Sequence, residues 1–238
     1  EKVVSGMFEI YQELLGVKFI EEKTPVWHSS VQAFRVEGDK GPRAYFFMDL
    51  FPREGKYGHA AAFTLQSGYE RANQTYALPH SAIVANFTAP LPGQPSLLEH
   101  SEVETLFHEF GHIMHQVLTR VKYGSLSGTS VARDFVEAPS QMLENWVWKE
   151  KGLEKLSGHY KDNSQKLPKE LLDKLLESKY LNSGYFNLRQ ISLGMSDMVF
   201  HTDASILEGA QPQPSSEELS KLSNDEIELD AADKKILE

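Results

Sequence analysis

Cysteine is absent from all 238 residues. That absence excludes disulfides, thiolate metal sites and a cysteine nucleophile together, so any metal must be held by nitrogen and oxygen. Long apolar runs are absent too: nothing approaches the roughly eighteen residues that a membrane-spanning helix needs. The opening Glu1-Lys2-Val3-Val4-Ser5 does not resemble a secretory leader, so a soluble chain without a membrane partner is expected. Positive charge is scarce. Against 34 Asp and Glu stand 24 Lys and Arg, for a formal net charge of −10. A phosphate-binding surface needs a basic face, so no nucleic-acid partner is expected, and neutral or cationic peptides are the more natural ligands.

What is present is an ordinary globular composition, with 40% hydrophobic and 24% charged residues, enough for one large domain or two small ones. Val4, Met7, Phe8, Tyr11, Leu14 and Leu15 recur at helical spacing and stop at Gly16, predicting a helix over Val3 to Leu15. Val31 to Glu37 and Arg43 to Leu50 are β-rich runs split by the turn-forming residues Glu37-Gly38-Asp39-Lys40-Gly41-Pro42. His59 to Leu65 and Ser81 to Thr88 read as further strands, after which Ala89-Pro90-Leu91-Pro92-Gly93-Gln94-Pro95 breaks the chain. Beyond it the pattern is helical, most plainly over Pro168 to Tyr180 and Ser183 to His201. The organisation expected is a helix and small sheet over 1–95, a helical part of the same core over 96–209, and an acidic Pro/Ser-rich tail over 210–238, helical or disordered.

The helical part carries His108-Glu109-Phe110-Gly111-His112, an H-E-x-x-H run. At about 100° per residue, Val103, Leu106, Phe107, Phe110, Met114, Val117 and Leu118 fall on one side of a helix. Glu104, His108, Gly111, His112 and His115 share the other, so the two histidines stand off the apolar face. The helix is predicted over 96–119, with Ser101 and Glu104 as a capping box or an earlier start at Ser96. Two histidines four apart on one face lie roughly 6 Å apart, so both can reach one zinc ion with Glu109 beside them as a base. His115 lies roughly 10.5 Å along the axis from His108, too far for the same metal, and is read as packing or solvent-facing. The chemistry indicated is that of a zinc peptidase: zinc lowers the pKa of a water toward ~7, and Glu109 takes its proton and passes it to the leaving amine.

A catalytic zinc usually keeps three protein ligands. Phe135, Met142, Leu143, Trp146 and Val147 predict a second helix that leaves Glu137, Gln141 and Glu144 together on its other side. The turn formers of Tyr123 to Ser130 would let the two helices pack as an αα-hairpin. Glu137 is the best donor, but spacing alone leaves Asp134 and Glu144 as rivals.

Phe107 to His115 and Asp134-Phe135-Val136-Glu137-Ala138-Pro139-Ser140-Gln141-Met142-Leu143-Glu144-Asn145-Trp146 resemble the thimet oligopeptidase, neurolysin and saccharolysin family of zinc oligopeptidases. Asp49-Leu50-Phe51-Pro52-Arg53-Glu54-Gly55-Lys56-Tyr57-Gly58-His59-Ala60-Ala61 and Phe186-Asn187-Leu188-Arg189-Gln190 extend the resemblance to about residue 203. It implies one Zn2+ bound by His108, His112 and Glu137, with Glu109 as catalytic base; 137 − 108 = 29 agrees with the family's spacing. It also implies a deep channel that admits short peptide substrates. Family members are longer, so this chain resembles an excised catalytic core whose partners include the missing N- and C-terminal parts of the parent, among them a Gly- and Tyr-rich loop that helps hold substrate. The compartment expected is cytoplasmic, with a mitochondrial address left open.

The fold expected is α+β, mainly α: a zincin-like metallopeptidase core with a small β-sheet beside the metal helix and a helical bundle after it. The strand near His59 to Phe63, with small residues at Gly58, Ala60, Ala61 and Ala62, is expected either to form one wall of the substrate cleft or to pack under a helix. Gly111 is expected to let the neighbouring helix approach, and Asp134 or Glu104 to accept a histidine ring N–H. Asn73-Gln74-Thr75 and Asn86-Phe87-Thr88 match a glycosylation acceptor by coincidence, and Gly124 to Ser130 lacks the lysine and spacing of a phosphate loop. The alternative to an enzyme is a zinc- or peptide-binding fragment without turnover.

Overall fold

A computed structural model describes residues 1–202. The expected tail over 210–238 lies outside the described residues. The elements run α1 (Lys2–Leu15), β1 (Lys18–Glu22), β2 (Gln32–Gly38), β3 (Gly41–Asp49), β4 (Ala61–Gln66), β5 (Tyr69–Glu70), β6 (Tyr76–Ala77), β7 (His80–Val84), α2 (His100–Val117), α3 (Ala138–Glu144), α4 (Glu150–Leu156), α5 (Lys169–Ser178) and α6 (Ser183–Thr202). The described residues divide into two units, the first Glu1–Leu176 and the second starting at Glu177. The architecture is α+β with a mixed sheet. No helix among the described residues is long and apolar enough to cross a membrane.

In the first unit the sheet order is β1-β2-β3-β7-β4. The β2–β3 hairpin forms where the turn residues predict it, with Gly41 at φ 97, a conformation that favours glycine. β3 pairs with β7 in parallel, and β4 returns antiparallel on β7 to become an edge. The other edge, β1, is absent from the sequence reading. Its Lys-Phe-Ile-Glu-Glu carries three charges and no apolar alternation, and only Phe19 turns its ring into the core. β7 ends at Val84, short of the predicted Thr88, yet Ala85 N–H still donates to Asp49 O at 2.8 Å and Phe87 N–H to Leu50 O at 2.9 Å.

The core lies between α1, the sheet and α2. Phe110 is fully buried and meets Phe8, Tyr11, Phe19 and Phe46 at ring-centroid distances of 4.8 to 5.6 Å. Burying one such ring stabilises the fold by about 1.5–3 kcal/mol, so this cluster fixes which side of α2 turns inward. Tyr11 Oη donates to the Phe107 carbonyl at 2.8 Å, tying α1 to the turn of α2 that carries His108.

α2 is shorter at both ends than the predicted 96–119, and its capping box differs. Glu99 is the N-cap, accepting from the Glu102 backbone while the Glu102 side chain accepts from the Glu99 N–H at 2.8 Å. Ser96 lies four residues before the helix begins, and its hydroxyl donates to Thr88 O at 2.7 Å. Glu104, expected in the box, instead accepts from Trp148 Nε1.

A buried ionic cluster anchors the loop leading into β4. Asp49, 1% exposed, accepts from Trp27 Nε1 at 2.8 Å and from both Arg53 guanidinium nitrogens at 2.7 and 2.8 Å. Lys56 Nζ lies 2.9 Å from the same carboxylate and donates to the carbonyls of Asp49, Phe51 and Ala85. Burial works to raise the Asp49 carboxyl, but these donors outweigh it and hold it far below the ordinary value. The loop before the edge strand is thereby fixed to the ends of β3 and β7.

The two helices that follow α2, namely α3 and α4, are short, seven residues each. α3 packs on α2, and α4 packs on α1, where Lys155 bridges Glu9 and Glu13. α6, in the second unit, is a 20-residue helix with no buried residue.

Candidate metal centre

His108 and His112 project from adjacent turns of α2 with ring centroids 4.9 Å apart and planes at 85°. Between them in sequence, Glu109 turns toward β4. It is 9% exposed, and the Ala62 backbone hydrogen-bonds to it. The strand expected as a cleft wall is therefore the sheet edge beside the H-E-x-x-H helix. Ala60 and Ala62 pack against the core, which is the packing role expected for the alanines.

The third donor comes from the N-terminus of α3 rather than from a helix interior. Residues 132 to 137 turn instead of continuing a helix, with Phe135 and Val136 N–H both donating to Ala132 O. Pro139 sits in the first turn of α3, where its missing N–H costs nothing, and Glu137 is the N-cap. Glu137 Oε2 lies 3.2 Å from His108 Nε2 and 3.1 Å from His112 Nε2. Among the described residues these three make the one group of His and acidic side chains close enough to share a metal, their ligand atoms all within 4.8 Å of one another.

The rivals separate by atom. Glu144 Oε1 lies 2.6 Å from His108 Nδ1, on the opposite side of the ring from Glu137. Asp134 is exposed and outside the group. The acceptor for a histidine N–H is thus Glu144, not the expected Asp134 or Glu104. Sequence spacing placed Glu144 near Glu137 but carried nothing to say which nitrogen it meets. Ser140, to which the sequence assigns no role, is fully buried and lies 2.9 Å from Glu137 Oε2; its spacing of three from Glu137 is the signal that could have marked it.

Gly111 is what lets the two helices meet. A Cβ there would come within 2.8 Å of Ser140 Cα and 3.4 Å of Leu143 Cδ1. Gly111→Ala is therefore expected to push α3 away from α2 and cost about 1–3 kcal/mol in stability. Thermal melts with and without added zinc check this: the variant should melt lower and gain less from zinc, and unchanged melting under both conditions would contradict the close packing. The connection between α2 and α3 is longer than a simple αα-hairpin and includes a 3-10 turn at Gly124–Leu126. His115 stands outside the donor group, with its ring centroid 6.4 Å from that of Phe135.

The donor set suits a cation. A carboxylate only accepts, so His108 Nδ1 donates to Glu144, and in the neutral ring Nε2 is left as an acceptor facing Glu137 Oε2. Burial lowers the His112 pKa despite the attraction of Glu137, favouring the neutral ring there too. Burial works to raise the Glu137 carboxyl, but the Ser140 hydroxyl and the two histidines hold it below the ordinary value. Burial pushes the Glu109 carboxyl up; His108 and the Ala62 N–H oppose this and the Glu137 charge adds to it. Three electron-pair donors of nitrogen and oxygen type meet with a buried carboxylate beside them, the donor chemistry that zinc takes.

The chain is similar to known peptidases. The chain is 49% identical over 207 residues to the thimet-like oligopeptidase of Dictyostelium discoideum, covering 85% of this chain and 31% of the relative. It is 42% identical over 212 residues to saccharolysin of Saccharomyces cerevisiae, covering 85% and 30%. It is 38% identical over 224 residues to oligopeptidase A of Escherichia coli, covering 93% and 33%. The chain thus spans about a third of the length of the curated relatives it matches. The model of peptidase family M3 matches residues 1–236, nearly the entire chain, and this chain belongs to that family.

Proposed function

We propose that this chain is the metal-binding part of a zinc-dependent endopeptidase that hydrolyses short peptides, with one zinc ion held by His108, His112 and Glu137. The observation that carries this is the meeting of three acceptor atoms, His108 Nε2, His112 Nε2 and Glu137 Oε2, next to the buried Glu109 carboxylate on the helix of the two histidines. Zinc held there supplies a Lewis acid, which acidifies water and polarises a carbonyl. Glu109 is the general base and then the general acid: its carboxylate holds the proton of the attacking water and returns it to the leaving amine. The Ala62 hydrogen bond orients that carboxylate against the sheet. Glu144 fixes the His108 ring and its tautomer. The edge of β4, unpaired among the described residues, offers main-chain hydrogen bonds to an extended peptide, as one wall of a zincin-like cleft would.

The chain spans about a third of its relatives' length, and a second reading is that this part binds zinc and peptide without turnover. A single assay separates them. Hydrolysis of an internally quenched short peptide should stop with chelator and return with one equivalent of zinc, with internal cleavage seen by mass spectrometry. Zinc binding without cleavage supports the second reading, and cleavage indifferent to chelator overturns both.

A further inference from the structure

Ser140 touches the centre without being one of its donors. It is fully buried, and its hydroxyl lies 2.9 Å from Glu137 Oε2, the oxygen that also faces Nε2 of both histidines. The same hydroxyl lies 2.9 Å from the Glu137 carbonyl, but that carbonyl already accepts the Gln141 N–H at 2.9 Å. A hydroxyl has one proton to give, and a charged acceptor holds it better than a satisfied neutral one. We propose that Ser140 is a positioning residue for the metal centre, whose hydroxyl holds the Glu137 carboxylate with Oε2 turned to the two histidines before any metal arrives. The inference rests on His108, His112 and Glu137 being the metal donors.

Glu137 is the donor that most needs holding. Its side chain is 48% exposed, against 24% for His108 and 12% for His112. The histidines are fixed by a buried helix. Glu137 sits at a helix end on a flexible stem that would otherwise be free to swing into water, and ordering it costs rotamer entropy at the moment of binding. Ser140 removes part of that cost in advance.

Ser140 is seated in the close approach that Gly111 permits, with 2.8 Å from a would-be Gly111 Cβ to Ser140 Cα. The helix register completes the case. Glu137, Ser140 and Glu144 follow one another at i, i+3 and i+7, one face of α3, and meet His108, Gly111 and His112 on α2. One face of a short helix thus brings a donor, the hydroxyl that holds it, and the carboxylate that holds His108.

The test is the zinc affinity of the whole chain, measured by competition with a chromogenic chelator, for wild type, Ser140→Ala, Glu137→Ala and the double variant. Ser140→Ala is expected to weaken zinc binding about ten- to a hundredfold while the metal-free chain keeps its far-ultraviolet circular dichroism. In the Glu137→Ala background the same change is expected to alter affinity by less than about twofold, because the group it acts through is gone. At saturating Co2+, the visible absorption band of Ser140→Ala should shift from that of wild type. The proposal is overturned by wild-type affinity in Ser140→Ala, or by an equal loss in both backgrounds, which marks a purely structural role. Wild-type affinity in Glu137→Ala would instead overturn the donor assignment itself. If Ser140→Ala does not fold, Ser140→Cys, similar in shape with a weaker donor, is read by the same criteria.

Discussion

Glu109→Gln is expected to leave zinc content unchanged while lowering kcat for peptide hydrolysis by about a hundred- to ten-thousandfold, the range a positioned general base contributes. Glutamine keeps the size and shape of glutamate, and its amide oxygen can still accept from Ala62, so packing against β4 should persist. What it cannot do is hold a proton. Glu109 stands outside the group of three donors, so its replacement should not loosen the metal. Burial lifts its carboxyl above the ordinary value, which brings it nearer the working pH, as a group that both takes and returns a proton requires. The measurement pairs kcat with bound zinc per chain; retained turnover would falsify the base assignment.

Glu137→Ala separates metal from mechanism in the opposite way. It removes the atom on which both histidine Nε2 atoms converge. Loss of a residue that merely supports a ligand costs about ten- to a hundredfold in metal affinity, and loss of the donor itself should exceed that. Because Glu137 is at the surface end of α3 and nearly half exposed, alanine there opens no cavity and the metal-free chain should keep its melting temperature. Titration of metal-free chain with zinc checks this. Affinity within tenfold of wild type would remove Glu137 from the donor set.

Much of this was legible in the chain because periodicity and chemistry pointed the same way. The α2 pattern set Phe107 and Phe110 inward, and that alone turns His108 and His112 outward. The short helices α3 and α4 and the edge strand β1 were harder, for physical reasons. α3 begins only at Ala138, after turns at 132–137 whose apolar residues mimic helical spacing. β1 has no apolar alternation to reveal it. The capping box was misplaced because the sequence favours Ser101, whereas the link between Glu102 and Thr88, 14 residues away in the chain, starts the helix at His100. Such distant partners leave no local signal. The same holds for the choice among Asp134, Glu137 and Glu144, which the fold makes by pointing Glu137 at Nε2 and Glu144 at Nδ1 of one ring.

The central claim is tested most directly by locating the metal in the zinc-loaded chain by anomalous diffraction on either side of the zinc edge. The account predicts one peak per chain, about 2 Å from His108 Nε2, His112 Nε2 and a Glu137 oxygen, with Glu109 beside it and not bound to it. A peak at another position, or none in a chain that binds zinc in solution, would contradict it.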